Sequence, residues 1–431
     1  MSTKPPVADP PTEASSAPDA APAPTRSWAG RLLVGWVGGV AGALAGSQLI
    51  IGFTYVLGAR SIGPETLGMI ATCVAIGTIG ANVFDMGLTG LLVRDVAGRK
   101  MDLVAARAAV EAKRRLCPVL LVPTVTAGLL LAPTPLSGLV LGLLGLMMWE
   151  SITANSLMRT QERFGQAAAA QLAGRSTGLA VVGGLLLARV SGGLALPVGL
   201  VVSYAVEALI DRVFLGPSRT PPCPRVQLLA LHRDAAPIGL GTLAISAQQL
   251  DTPMVALGGG VLAAGLYAAA GRLLGPLGFL ASALGLVGGP WLARAKGERV
   301  ALRREERKVC AVAGALCLAP LLAAAVGPFL LPLVLGSHYA PSGAVFAVLA
   351  LGSVFSTLNQ PLAIIAVNRE RQRSVGVAIA VGVGTGLLAT LALARLGPAW
   401  AAVGFTVSQL YILAHLGLSV RRCWRNEDAD R

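Results

Sequence analysis

Twelve apolar runs dominate this chain, each close to the roughly 20 residues that cross a hydrocarbon core about 30 Å thick. They lie near residues 32–57, 68–93, 116–133, 136–158, 166–188, 193–215, 235–258, 261–293, 309–331, 342–366, 374–394 and 398–420. The expected fold is all-α: a polytopic membrane protein of about twelve transmembrane helices.

Positive charge gives the topology. The two tails and the gaps after even-numbered runs hold 30 of the 35 Lys and Arg residues. The opposite gaps hold only Arg60, Arg189 and Arg395. By the positive-inside rule, both termini are expected on the cytoplasmic side of a bacterial inner membrane. Arg175 and Arg272 remain, and both fall inside runs. The net charge of +14 is therefore spread over short loops. That placement argues against the nucleic-acid partner a basic pI would otherwise suggest. A hydrophobic content of 54% with 13% charged residues lies outside the usual soluble range.

Residues 1–27 are rich in Pro, Ala, Ser and Thr, and are expected to form a disordered cytoplasmic tail. The Pro cluster within Gly216–Asp234 cannot continue a helix, so 216–234 is expected as a cytoplasmic linker. It divides an N-terminal six-helix bundle, 28–215, from a C-terminal one, 235–420, with a basic tail at 421–431. The long basic gaps after the second and eighth runs occupy equivalent places in the halves. Each could form an amphipathic surface helix, Met101–Arg115 and Glu298–Lys308. The six cysteines show no Cys-x-x-Cys pair and the three histidines no metal-ligand spacing; free thiols and no metal are expected. His415 is expected to make an interhelical hydrogen bond.

The halves are weakly alike. Leu57-Gly58, a turn, and Leu67-Gly68-Met69-Ile70-Ala71 match Leu257-Gly258, a turn, and Gly265-Leu266-Tyr267-Ala268-Ala269. Internal repeats of this kind build many transporters, with the substrate site between them.

Two stretches carry a family resemblance. Ile62-Gly63-Pro64-Glu65-Thr66-Leu67-Gly68, then Asp85-Met86-Gly87-Leu88 and Arg94, resembles the first outer turn and second span of Wzx-type polysaccharide flippases. Asp251-Thr252-Pro253-Met254, then Ala264 to Leu273, then Pro290 and Leu292-Ala293, resembles their seventh and eighth spans. The wider family is the multidrug/oligosaccharidyl-lipid/polysaccharide exporter superfamily. The resemblance implies a V-shaped pair of six-helix bundles. It implies translocation of a polyprenyl-diphosphate-linked saccharide for cell-surface polysaccharide synthesis. The implied partners are that substrate, membrane lipids, and glycan polymerase or glycosyltransferase machinery. Twelve spans suit a Wzx-like member better than the related lipid II flippases, which usually have fourteen.

Charges inside a hydrocarbon core cost at least about 2.5–3.5 kcal/mol, so they face a cavity or a partner. Arg175 and Arg272 lie in different halves and together could grip a diphosphate. Alternatively, each pairs with a nearby acid and fixes packing. Asp85 and Asp251, the latter beside Gln248 and Gln249, could carry a coupling proton or Na⁺, or could serve as hydrogen-bond acceptors. Glu150 and Glu207 suit salt bridges or interfacial positions. Asp211 and Arg212 read as an interfacial pair. Pro276 and Pro290 interrupt the long eighth run and predict a bend that works the cavity. A cation-coupled small-molecule exporter of the same superfamily is the nearer rival function. A membrane-embedded glycan-processing enzyme is the rival of another class, but the outer loops are short and lack paired carboxylates or a nucleophile motif.

Overall fold

The computed structural model describes residues 28–216, 225–295 and 298–429. Among these residues there are fifteen α-helices and no strand. The expected tail 1–27 and residues 217–224 of the expected linker lie outside the described residues. The chain forms two compact units, Met1–Gly39 and Val40–Arg431. The described part of the first is the start of an opening helix; the second holds the remainder.

The first half contains α1 (Trp28–Arg60), α2 (Pro64–Asp85), α3 (Leu88–Ala97), α4 (Leu103–Arg114), α5 (Cys117–Leu131), α6 (Pro135–Thr160), α7 (Phe164–Leu187) and α8 (Gly192–Leu215). The second half contains α9 (Arg225–Ser246), α10 (Asp251–Arg294), α11 (Arg299–Leu316), α12 (Leu318–Leu335), α13 (Ser342–Asn368), α14 (Gln372–Leu393) and α15 (Pro398–Ala429). By length and composition, nine segments among the described residues can cross a membrane, or ten if α4 and α5, bent by 45°, act together. One of the nine, Gln227–Gly278, is 52 residues long and contains the run 235–258 and the first part of the run 261–293. This is a multi-pass membrane protein.

Local chemistry sets the helix ends. Pro64 and Pro135 sit in first turns, where a missing N–H costs nothing. Thr134 and Ser137 form a reciprocal capping box on α6. Asp102 caps α4, accepting from the Ala105 N–H at 2.6 Å. The surface helix expected over Met101–Arg115 is α4, whose alanine face is buried. Helix α9 begins at Arg225, inside the expected linker. The prolines end at Pro224, and the Val226–Leu231 stretch that follows has no helix breaker.

The second run is two helices rather than one. Met86 and Gly87 both adopt left-handed backbone, with φ of 47° and 78°, and separate α2 from α3. Span seven is also discontinuous. A short 3₁₀ turn, Ala247–Leu250, joins α9 to α10. Pro253 has no N–H to offer the Gln249 carbonyl, so a regular α-helix cannot run through this point. Inside α10 the backbone breaks at Gly260, with φ 87° and ψ 168°. It is assigned as helix through Pro276 and Pro290, so the sharp turn of this segment lies at the glycine. A positive φ is cheap only for glycine, whereas proline holds φ near the helical value.

In the first half, α8 packs on α6 and α7, and α6 on α2 and α5. In the second, α13 packs on α10, α12 and α15, and α14 on α15. The halves meet along α2. Near its start, Gly68 lies against Gly265 of α10: a Cβ on Gly68 would come within 2.1 Å of the Val261 oxygen. A Cβ on Gly265 would come within 1.7 Å of the Pro64 oxygen. These glycines belong to the two matched repeats. At the other end, Gly87 meets Gly239 of α9, where a Cβ on Gly87 would come within 2.3 Å of the Gly239 nitrogen. Only glycine permits such backbone contact. At the Gly68 end, Arg60 donates to the Leu333 and Val334 carbonyls, both at 2.7 Å. Those carbonyls lie at the C-terminal end of α12, where helix oxygens lack partners. Tyr339 donates to the Ile62 carbonyl at 3.1 Å.

Candidate functional site

A cavity of about 470 Å³ lies between the halves. Its walls come from α1, α7 and α8 on one side and from the 3₁₀ turn, α10, α13 and α15 on the other. Non-helical backbone at this depth is tolerable because it lines a cavity instead of lipid.

Both arginines expected from the sequence face this cavity. Their surroundings differ. Arg175 is 7% exposed. Its Nη2 lies 3.1 Å from Glu207 Oε2, close enough for an ion pair but outside hydrogen-bond geometry. Its Nη1 donates to Ser203 Oγ at 2.9 Å, and its guanidinium lies 3.8 Å from the Tyr204 ring centre. Arg272 stands over the Tyr55 ring at 4.8 Å and makes no ion pair among the described residues. Each guanidinium is thus backed by an aromatic face, which supports a cation without consuming its hydrogen-bond donors. Arg272 makes no hydrogen bond among the described residues, whereas Arg175 is partly committed to Glu207 and Ser203.

Asp251, Gln248 and Gln249 line the same cavity, as does Pro276. Asp251 Oδ2 accepts from the Tyr267 hydroxyl at 2.9 Å, and Oδ1 from the Thr252 N–H at 2.6 Å. The break at Gly260 folds the chain back and brings Tyr267 onto Asp251.

Asp85 lies elsewhere. It borders a separate small pocket with Gly87, Thr89 and Trp149. Its carboxylate accepts from the Thr89 hydroxyl at 2.6 Å, the Thr89 N–H at 3.2 Å and Trp149 Nε1 at 3.2 Å. The break at Met86-Gly87 leaves the first N–H groups of α3 without helical partners, and Asp85 accepts from one of them, that of Thr89. Asp85 does not line the central cavity, and its contacts match the hydrogen-bond-acceptor alternative. The side chain of Pro290 lies outside the described ones.

Glu150 is bridged by Arg114, at 2.7 and 3.0 Å, and by Arg212, as its position near a basic loop suggested. Glu207 is buried and ion-paired with Arg175, the salt-bridge alternative. Asp211 is also buried, while Arg212 is 45% exposed. Neighbours on a helix point about 100° apart, so adjacent charges need not share an environment. His415 Nε2 lies 3.2 Å from Ser374 Oγ, an interhelical contact between α14 and α15.

Sequence reasoning missed the tyrosines. Tyr55, Tyr204 and Tyr267, three of only five in the chain, line the cavity. Their rarity among apolar runs was the available signal.

No family model matches the chain, and no curated protein does. Solved structures do. An inward-facing multidrug resistance MATE family transporter of the MOP superfamily superposes with a TM-score of 0.71 at 14% identity, covering 89% of this chain and 96% of that one. The chain shares the fold of that structure. The lipid II flippase MurJ in its inward closed conformation gives 0.70 at 12% identity, covering 89% of this chain and 87% of its own. A MOP superfamily transporter from Pyrococcus furiosus, whose binding pocket is described as reversed in polarity, gives 0.62 at 14% identity, covering 90% and 95%. An outward-facing multidrug resistance MATE family transporter gives 0.58 at 15% identity, covering 91% of this chain and 96% of that one.

Proposed function

We propose that this protein is a flippase that moves a polyprenyl-diphosphate-linked saccharide across a bacterial cytoplasmic membrane by alternating access. The observation that carries this reading is Arg272: a guanidinium inside the membrane-spanning region, facing a cavity between the halves and unpaired among the described residues. A cation inside a span is costly, and a diphosphate would relieve that cost with bidentate bonds. Arg175 supplies a second, weaker contact from the opposite wall. The glutamines, Ser353, Ser356 and Thr357 offer neutral donors and acceptors suited to sugar hydroxyls. A cavity of about 470 Å³ suits a head group, with the polyprenyl tail left in lipid.

In this reading the functional bundles are 28–215 and 235–420, both termini are cytoplasmic, and glycosyltransferase or glycan polymerase machinery supplies and consumes the cargo. Coupling falls to Asp251, whose carboxylate beside Gln248 and Gln249 could take a proton or Na⁺.

Reconstitution into vesicles with a fluorescently labelled polyprenyl-diphosphate sugar tests the reading. Transport that requires Arg272 supports it. Absence of lipid movement, with export of a small cation instead, would favour the exporter reading. That rival draws support from Glu207 and Asp251, which balance the two arginines in charge.

A further inference from the structure

A second cavity, of about 490 Å³, lies well away from the first, between α4, α6 and the end of α8. Three guanidiniums line it: Arg107, Arg114 and Arg212. Two carboxylates, Glu111 and Glu150, face them. Arg114 is committed to carboxylates, bonding Glu150 through Nε and Nη2 and Glu111 through Nη1. Arg212 gives Nη2 to Glu150 and is otherwise half-exposed. Arg107 has no carboxylate partner among the described residues. Its Nη2 donates to the Leu215 carbonyl, while its Nε is buried with no hydrogen-bond partner. Buried donors are rarely left open, so this one points to a missing acceptor. The rest of the wall is apolar, including Leu157 and Val213.

We infer that this cavity holds a phosphate carried on a lipid tail, with Arg107 and Arg212 on the phosphate and the apolar wall along the first acyl carbons. The helix end and amphipathic α4 place it where an inner-leaflet headgroup would lie. The inference rests on the membrane orientation proposed above, but not on the cargo of the central cavity. Two sources share this chemistry: a bulk anionic phospholipid and a polyprenyl diphosphate.

The test is native mass spectrometry of the full chain, purified with phosphatidylglycerol, phosphatidylcholine, undecaprenyl diphosphate or inorganic phosphate added in turn. Arg107→Gln removes the open donor. Val213→Glu puts an anion at a 70% exposed position on the rim and spares the packing. One charge-assisted hydrogen bond is worth about tenfold in occupancy. Retention of phosphatidylglycerol over phosphatidylcholine, lowered about tenfold by both variants, supports the site with a phospholipid occupant. The same loss confined to undecaprenyl diphosphate supports it with the polyprenyl occupant. Equal retention in parent and variants, or binding of inorganic phosphate alone, overturns it. Arg272→Ala serves as the control: it should leave this binding intact, so failure of the central-cavity reading is scored separately. A membrane-impermeant thiol reagent on Val104→Cys, at a 56% exposed position of α4, reads the orientation on its own. Labelling from the outside would overturn the inner-leaflet assignment.

Discussion

The Arg175 guanidinium lies 3.1 Å from the Glu207 carboxylate, and both side chains are almost wholly buried. Removing either member leaves an uncompensated charge in the span, a loss of about 3–5 kcal/mol. Glu207→Gln and Arg175→Ala should therefore lower the melting temperature of the purified protein and its yield together. Arg272→Ala removes no ion pair and should melt with the parent while abolishing lipid-linked sugar movement in vesicles. Normal transport by Arg272→Ala would reject the diphosphate reading.

Tyr267 offers a second test. Its hydroxyl bond to Asp251 is made across the turn at Gly260, so Tyr267→Phe deletes one acceptor contact worth about 1 kcal/mol. Asp251→Asn removes the charge itself. If Asp251 carries the coupling ion, Asp251→Asn should flatten the dependence of transport on pH or Na⁺. Tyr267→Phe should shift that dependence without erasing it. A parent-like response in Asp251→Asn would exclude the role.

Asp85 should behave as a structural residue. Asp85→Ala loses the cap of α3 and strands Trp149 Nε1, costing about 1–2 kcal/mol in stability. Asp85→Asn keeps a capping oxygen and should be milder. Both should retain the parent's ion dependence of transport; a changed dependence would return Asp85 to the coupling candidates.

A pH response is built into the contact between α4 and the start of α9. His232 Nδ1 donates to the Leu228 carbonyl at 2.8 Å, which leaves Nε2 to accept from the close-lying Lys113 ammonium. The Phe84 ring and the more distant Asp85 carboxylate complete the surroundings. Burial lowers the Lys113 pKa from 10.5 to about 8. The folded state thus binds fewer protons than the unfolded one, and stability rises with pH in this window. Thermal melts should show stability falling as pH drops from 10.5 to about 8. Lys113→Met should erase that step. An unaltered melting curve would dissociate this residue from the response.

The helices and the central cavity were legible in sequence to different degrees. Run length and charge alternation mark the spans because lipid imposes both. Arg175, Arg272, Asp251 and the two glutamines stand out because polar groups are costly in a span, and all five reach one cavity. The same rule drew in Asp85, since it detects polarity and not its purpose. A carboxylate capping a broken helix and one facing a ligand look alike until the break at Met86-Gly87 is seen. The pairing of Arg175 with Glu207 depends on how α7 and α8 are rotated against each other, which composition does not record.

Helix α2 meets the second half through Gly68 near its start and through Gly87 just beyond its end. From Gly68 to Asp85, its last residue, is 17 positions, roughly 26 Å of helical rise. A stiff rod with a fulcrum near each tip can swing about either one while the other lets go. Side chains at those two spots would jam the seesaw long before they emptied the chamber beside it. Bulk installed at Gly265 should therefore arrest the cycle in whichever posture parts α2 from α10, leaving the chamber's own lining untouched.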